Sequence, residues 1–169
     1  MTALKRWEER PIEEASLFNP AFIGALIFEF VKPYEKAHVQ GAPITFLPLA
    51  LAVVLHKPTR KRLPGTTVTS MFEWLQNNED VLIGLGQRSR GVAPYMQEAF
   101  RFLLSSSHLG LKDRHYIGIG PIKANFSPKF LESSTPEVRE IVSKMQFLSR
   151  WFAKSGSETT ILAGWGVRP

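Results

Sequence analysis

Two almost wholly apolar segments, Ala21–Val31 and Leu47–Leu55, stand close together in the first third of this chain, followed directly by a basic cluster. Each is too short to cross a bilayer, which takes about 20 apolar residues. A helix that is apolar around most of its circumference must be covered on several sides, by its own domain or by another protein. Phe22, Leu26, Ile27, Phe30, Leu51 and Leu55 are therefore expected in the core or at a subunit contact. The pattern points to a subunit before it points to an enzyme.

At 169 residues the chain is long enough for one domain with a real core and too short to make two ordinary domains the expectation. No repeat period or low-complexity run appears. Cysteine is absent, which removes disulfides, thiolate metal sites and cysteine nucleophiles together and fits a reducing, cytoplasmic setting. The N-terminus shows no apolar signal region, and no membrane association is expected. The net charge of +6 is uneven: Lys57, Arg60, Lys61 and Arg62 are clustered, which leaves 17 of the 21 basic residues against 15 acids. Such a patch suits a phosphate backbone or an acidic partner surface, the alternative being a solvated loop.

The order of elements reads as mainly α, a single domain over 1–169. Residues 1–10 form an N-terminal extension, 11–64 the apolar helices and a basic loop, 66–120 a core like a winged helix-turn-helix, and 121–169 the C-terminal helices. Pro11-Ile-Glu-Glu-Ala15 and Asn19-Pro20 are helix starts, with Asn19 as a cap and Pro20 in the first turn. The second helix should reach about His38, kinked or broken near Pro33, with Gly41 ending it. Pro48 opens a third, which stops before Pro58. The stretch Lys57–Thr67 then reads as an exposed loop. Thr69 or Ser70 caps a helix with Met71, Phe72, Trp74 and Leu75. A further helix over Glu79–Arg90, a tight turn at Gly91-Val92-Ala93 and a helix from Pro94 to about Ser107 would make the helix-turn-helix, with a small hairpin turning at Lys112-Asp113-Arg114 as its wing. Thr135-Pro136-Glu137 starts a strongly amphipathic helix whose stripe is Val138, Ile141, Val142, Met145, Leu148, Trp151 and Phe152. Gly156 closes it and Ser157 caps a last short helix.

Little here supports chemistry. His38, His56, His108 and His115 have no metal-ligand spacing, and no cofactor or metal site is expected. Ser105-Ser-Ser-His108 lacks a nucleophile elbow and reads as helix-end capping. Gly84-Leu-Gly86 and Gly118-Ile-Gly120 are lone pairs without a phosphate-loop context. No catalytic residue is assigned. The second helix of the expected helix-turn-helix leaves Gln97, Glu98, Arg101 and Ser105 to solvent, a poor surface for reading bases in the phosphate field. The residues placed at a nucleic-acid or partner surface are Lys57, Arg60, Lys61, Arg62, Arg88, Arg90, Arg101, Lys112 and Arg114, with DNA touched through its backbone.

Trp7 with Arg10-Pro-Ile-Glu-Glu-Ala15, Leu17-Phe-Asn-Pro-Ala-Phe22, Leu47-Pro-Leu-Ala50 with Leu55-His56 and Arg62-Leu-Pro64, Trp74, Pro94 with Glu98-Ala-Phe100, Arg150-Trp-Phe-Ala-Lys154 and Gly164-Trp-Gly-Val-Arg-Pro169 carry a resemblance across nearly the full chain. In their order and spacing they resemble the small middle components of three-component ABC systems, encoded in bacteria between an SMC-like or Rad50-like ATPase and an effector. Lamassu-type defence systems are similar in organisation. The resemblance implies a non-enzymatic accessory subunit, with an SMC- or Rad50-like ABC ATPase and an effector, such as a nuclease, as partners in defence against phage or plasmid DNA. It implies a winged-helix-like grip on the ATPase and supplies no catalytic residues. A winged-helix DNA-binding transcriptional regulator is the alternative.

Overall fold

The computed structural model describes residues 4–167. Met1–Ala3 of the terminal extension and Arg168 and Pro169 of the closing motif lie outside that range. The helices are α1 (Ile12–Leu17), α2 (Pro20–Ala37), α3 (Phe46–Leu55), α4 (Lys57–Arg62), α5 (Met71–Gln76), α6 (Leu85–Ser105), α7 (Pro128–Ser133), α8 (Pro136–Lys154) and α9 (Glu158–Gly164). The strands are β1 (Ala42–Pro43), β2 (Leu109–Leu111) and β3 (Tyr116–Ile119), and 3-10 turns cover Trp7–Glu9 and Glu79–Leu82.

Helix α2 starts where its sequence says it should. The Asn19 side chain accepts from the Ala21 N–H at 2.8 Å, and Pro20 occupies the first turn, where no intrahelical N–H is needed. Every residue from Leu26 to Val31 is buried, because α6 and α8 pack on different sides of the helix and α3 adds a further contact. Gly24 lets α6 come close: a Cβ there would lie 3.3 Å from a Leu103 methyl. The helix does not break at Pro33 but continues to Ala37. A proline removes a single backbone donor, and burial on both sides of this turn outweighs that loss.

Gly41 then turns the chain into β1 with φ +93°, and a side chain here would strike the Ile117 carbonyl oxygen at 2.3 Å. β1 pairs antiparallel with β3 (Ala42↔Ile117) and β3 with β2 (Leu109↔Ile119), giving a three-stranded sheet of order β1-β3-β2. The hairpin is as expected. β1 is too short, and too rich in proline, to give an alternating signal.

Two aromatic clusters fill the interior. Phe30, Phe46 and Phe152 meet edge to face at centroid distances between 5.2 and 6.5 Å, with Tyr34 alongside. Trp74 contacts Trp151 at 5.6 Å and Trp165 at 5.9 Å, tying α5 to α8 and to the end of α9. Two of the three buried indoles make hydrogen bonds: Trp151 Nε1 donates to the Thr69 carbonyl, and Trp165 Nε1 reaches Met71 Sδ. Of the six residues expected inside, Leu26, Ile27, Phe30 and Leu51 are fully buried, while Phe22 and Leu55 pack against the core partly covered.

Two further expectations are corrected. The two helices separated by a turn at Gly91-Val92-Ala93 are one 21-residue helix, α6, that runs through both Gly91 and Pro94. Arg90 and Gly91 are exposed, so the carbonyl deprived of its partner by Pro94 meets water, while Val92, Met96, Ala99 and Leu103 hold the helix on the core. The break falls earlier, at Gly84 with φ +71°. Of the expected loop Lys57–Thr67, the part Lys57–Arg62 is the helix α4, and residues 63–67 are irregular as expected. α7 was not foreseen, although Ser127 caps it and Pro128 opens it. The helix over 136–154, its threonine cap and its buried stripe are as expected, except that Val138 is half-buried.

Phe30→Ala is expected to lose about 3–5 kcal/mol of unfolding free energy, since a fully buried ring leaves a cavity. Val68→Ala, at a position 91% exposed, should change it by no more than about 0.5 kcal/mol. Urea unfolding of both variants checks this pair.

Candidate functional site

Helical geometry sorts the basic cluster. In α4, Lys57 and Lys61 are one turn apart on an exposed face, and Arg60 points the other way. Arg60 is 1% exposed. Its Nη1 donates to the Val54 carbonyl at 2.7 Å, Nη2 to Glu137 Oε1 at 2.7 Å and Nε to Glu140 Oε2 at 2.9 Å. Glu137 and Glu140 lie one turn apart at the start of α8. One guanidinium thus closes the end of α3 onto α8. The hydrogen bond from Arg60, helped by Lys57, holds the Glu137 carboxyl below its usual value.

Other members of the expected set are also engaged within the fold. Arg62 forms a forked ion pair with Asp80 and donates to Asn78 Oδ1; this pair lowers the Asp80 carboxyl. Arg88 donates to the carbonyls of Ile83 and Val81, closing the turn that precedes α6. Burial lowers the Arg88 pKa, and burial also lowers that of His56. Lys112 pairs with Glu35 at 2.5 Å, and Glu35 accepts from the Ile119 N–H, so the hairpin is pinned to α2. Lys57 is exposed with Glu137 at 4.0 Å. Lys61, Arg90, Arg101 and Arg114 are exposed and have no side-chain partner among the described residues. Arg62 and Lys112 are exposed as well but are engaged in ion pairs, so the cations left to solvent without an internal hydrogen bond among the described residues are Lys57, Lys61, Arg90, Arg101 and Arg114.

Two features were missed in the sequence. Arg10 makes a two-pronged ion pair with Glu98 of α6, both bonds 2.9 Å, and Tyr95 donates to Glu14 at 2.7 Å while stacking on Phe18 at 4.2 Å. The N-terminal segment therefore covers one flank of α6, and burial with the Glu14 contact pushes the Tyr95 hydroxyl up to about 12. The second is a groove of about 500 Å³ between α2 and α8, bordered by Lys32, Lys36, Arg150 and Lys154. The available signal was i, i+4 basic spacing on two helices far apart in sequence.

Among the described residues no group of three or more His, Cys, Asp or Glu side chains could hold a metal ion. His38 contacts the Ala153 carbonyl, His56 contacts Thr59 and His108 contacts the Ile122 carbonyl. Ser105 and Ser106 donate to the Phe102 carbonyl as a helix end requires.

Fold and surface together define a mainly helical protein with exposed cations on α4, on α6, at the hairpin turn and along the α2–α8 groove. The chain belongs to the ABC-three component (ABC-3C) system Middle Component 3 family, whose model matches residues 7–169, and it is thereby an accessory subunit working with other components of such a system. No curated protein and no solved structure matches it.

Because its folded pKa is depressed, Glu137 contributes stability that is present above pH 4.5 and lost as pH falls through the folded value. Arg60→Met keeps the stem and removes the charge. It is expected to cost roughly 1–3 kcal/mol at neutral pH and to flatten the acid-dependent loss. Urea midpoints of both proteins on either side of pH 4.5 read the difference.

Proposed function

We propose that this chain is a non-enzymatic accessory subunit that joins an SMC- or Rad50-like ABC ATPase to an effector in a cytoplasmic bacterial complex acting against phage or plasmid DNA. The observation that carries this reading is the family match over residues 7–169. By length and composition the stretch Ile12–Ala37 would pass for a membrane crossing. Its residues from Ile23 to Val31, apart from Ala25, are nevertheless buried in the protein's own core, which supports a role in an assembly without a membrane.

A winged-helix-like core accompanies the proposal. What supports it is the succession α2, β1, α3, α6, β2, β3 with sheet order β1-β3-β2, the order a winged helix would have if α4, α5 and the turn before Gly84 were an insertion ahead of its last helix. In this assignment α6 stands where a DNA reader carries its recognition helix. The N-terminal segment covers one of its flanks, and Glu98 and Tyr95 are held by Arg10 and Glu14. A surface so occupied favours protein contact over base readout, and so speaks against a transcriptional regulator. Lys57, Lys61, Arg90, Arg101 and Arg114 remain suited to DNA backbone contact.

Co-expression with the ATPase and effector of its own system is expected to yield one co-eluting complex. Sequence-specific DNA binding by the chain alone, with no complex, would overturn the reading. If Lys57 and Lys61 touch phosphates, Lys57→Glu with Lys61→Glu lowers the salt slope of DNA binding by roughly 0.9 for each lost contact, equally for all sequences. An unchanged slope removes them from the DNA surface.

A further inference from the structure

The groove between α2 and α8 has charged walls, and hydrogen bonds tie the two helices together beneath it. Across the floor, Gln146 Nε2 donates to Glu29 Oε2 at 2.7 Å, Ser149 Oγ to the Phe30 carbonyl at 2.5 Å and His38 Nε2 to the Ala153 carbonyl at 2.9 Å. Lys32 and Lys36 stand on one wall and Arg150 and Lys154 on the other, each pair one turn apart and so about 6 Å along its helix. Lys32, Lys36 and Arg150 have no side-chain partner among the described residues, and Lys154 reaches the Thr67 hydroxyl at 3.3 Å. The acid lining the groove, Glu29, is 5% exposed and already accepts from Gln146 and the Phe126 N–H. Between the walls lie Pro33, Ala37 and Ala153.

Four cations around one groove repel one another, a cost that an anionic occupant reverses. The residues lining it include no aromatic side chain, so a single nucleic-acid strand would find no stacking platform there. A duplex is too broad to enter a groove of about 500 Å³. Small apolar groups on the floor and cations at turn spacing on both walls match a helix with an apolar stripe flanked by acids.

We propose that the α2–α8 groove docks an acidic amphipathic helix of a partner protein, its carboxylates on Lys32, Lys36, Arg150 and Lys154 and its apolar stripe on Pro33, Ala37 and Ala153. This deepens the accessory-subunit reading and rests on it for the source of the helix, another component of the same assembly.

The test is fluorescence anisotropy with a labelled amphipathic peptide of Glu and Leu at helical spacing and, separately, a labelled short DNA duplex. Lys36→Glu with Arg150→Glu is compared with Lys123→Glu with Lys129→Glu, which changes net charge equally at exposed positions elsewhere. The groove variant is expected to weaken peptide binding by roughly tenfold or more, while the control binds like the wild type. Equal weakening by both variants reduces the effect to net charge and overturns the proposal. So does absence of peptide binding by the wild type, or loss of duplex binding alone in the groove variant. If thermal melting followed by circular dichroism shows the groove variant unfolded, Lys36→Gln with Arg150→Gln decides by the same comparison. Co-purification with the other components separates the two readings. A groove variant that still assembles normally sinks the docking proposal and leaves the accessory role intact. Groove-dependent peptide binding by a chain that never joins the complex does the reverse.

Discussion

A helix whose residues from Leu26 to Val31 are all buried has no face to give to water, so its neighbours must be built around it. Here α6 covers one side of α2 and α8 another, with α3 bridging both covering helices. The close approach at Gly24 and the Phe30–Phe46–Phe152 cluster are two halves of the same solution. Once α2 is held in this way, the sheet is fixed as well. Gly41 leads directly from the end of α2 into β1, and Glu35 on α2 accepts from β3 and pairs with Lys112.

Polar groups serve this packing at its margins. Arg60 joins α4, the end of α3 and the start of α8 through three hydrogen bonds, which is why a residue from the most basic part of the sequence is among the least exposed. Glu29 is buried without an arginine or lysine partner and is satisfied by a side-chain amide and a backbone N–H instead. Its position leaves the cations of the α2–α8 groove facing solvent. Surface charge that remains unpaired after these internal demands is what the subunit presents to its partners.

Local signals were legible in the sequence, and signals that depend on tertiary context were not. The caps at Asn19, Thr135 and Ser157, and that of α5 to within Thr69 or Ser70, were readable because a side-chain oxygen and the N–H groups it accepts from are two or three residues apart. The stripe of α8 was readable because its period is sustained over five turns. Gly91 and Pro94 misled because packing of Val92, Met96 and Ala99 overrides local punctuation. The basic cluster was read by proximity, whereas the helical period divides it into an inward Arg60 and outward Lys57 and Lys61. The pairing of Arg10 with Glu98, and the meeting of Lys36 with Arg150 across a groove, join residues whose separation carries no pattern.

If α2 is the element on which the others depend, its amides should be the last to open. Native-state hydrogen exchange of the free chain is predicted to show backbone amides from Ile23 to Val31 exchanging only through global unfolding, with a denaturant dependence equal to that of the whole protein. Exchange of these amides through small local openings, while α8 or the hairpin stays protected, would contradict the account.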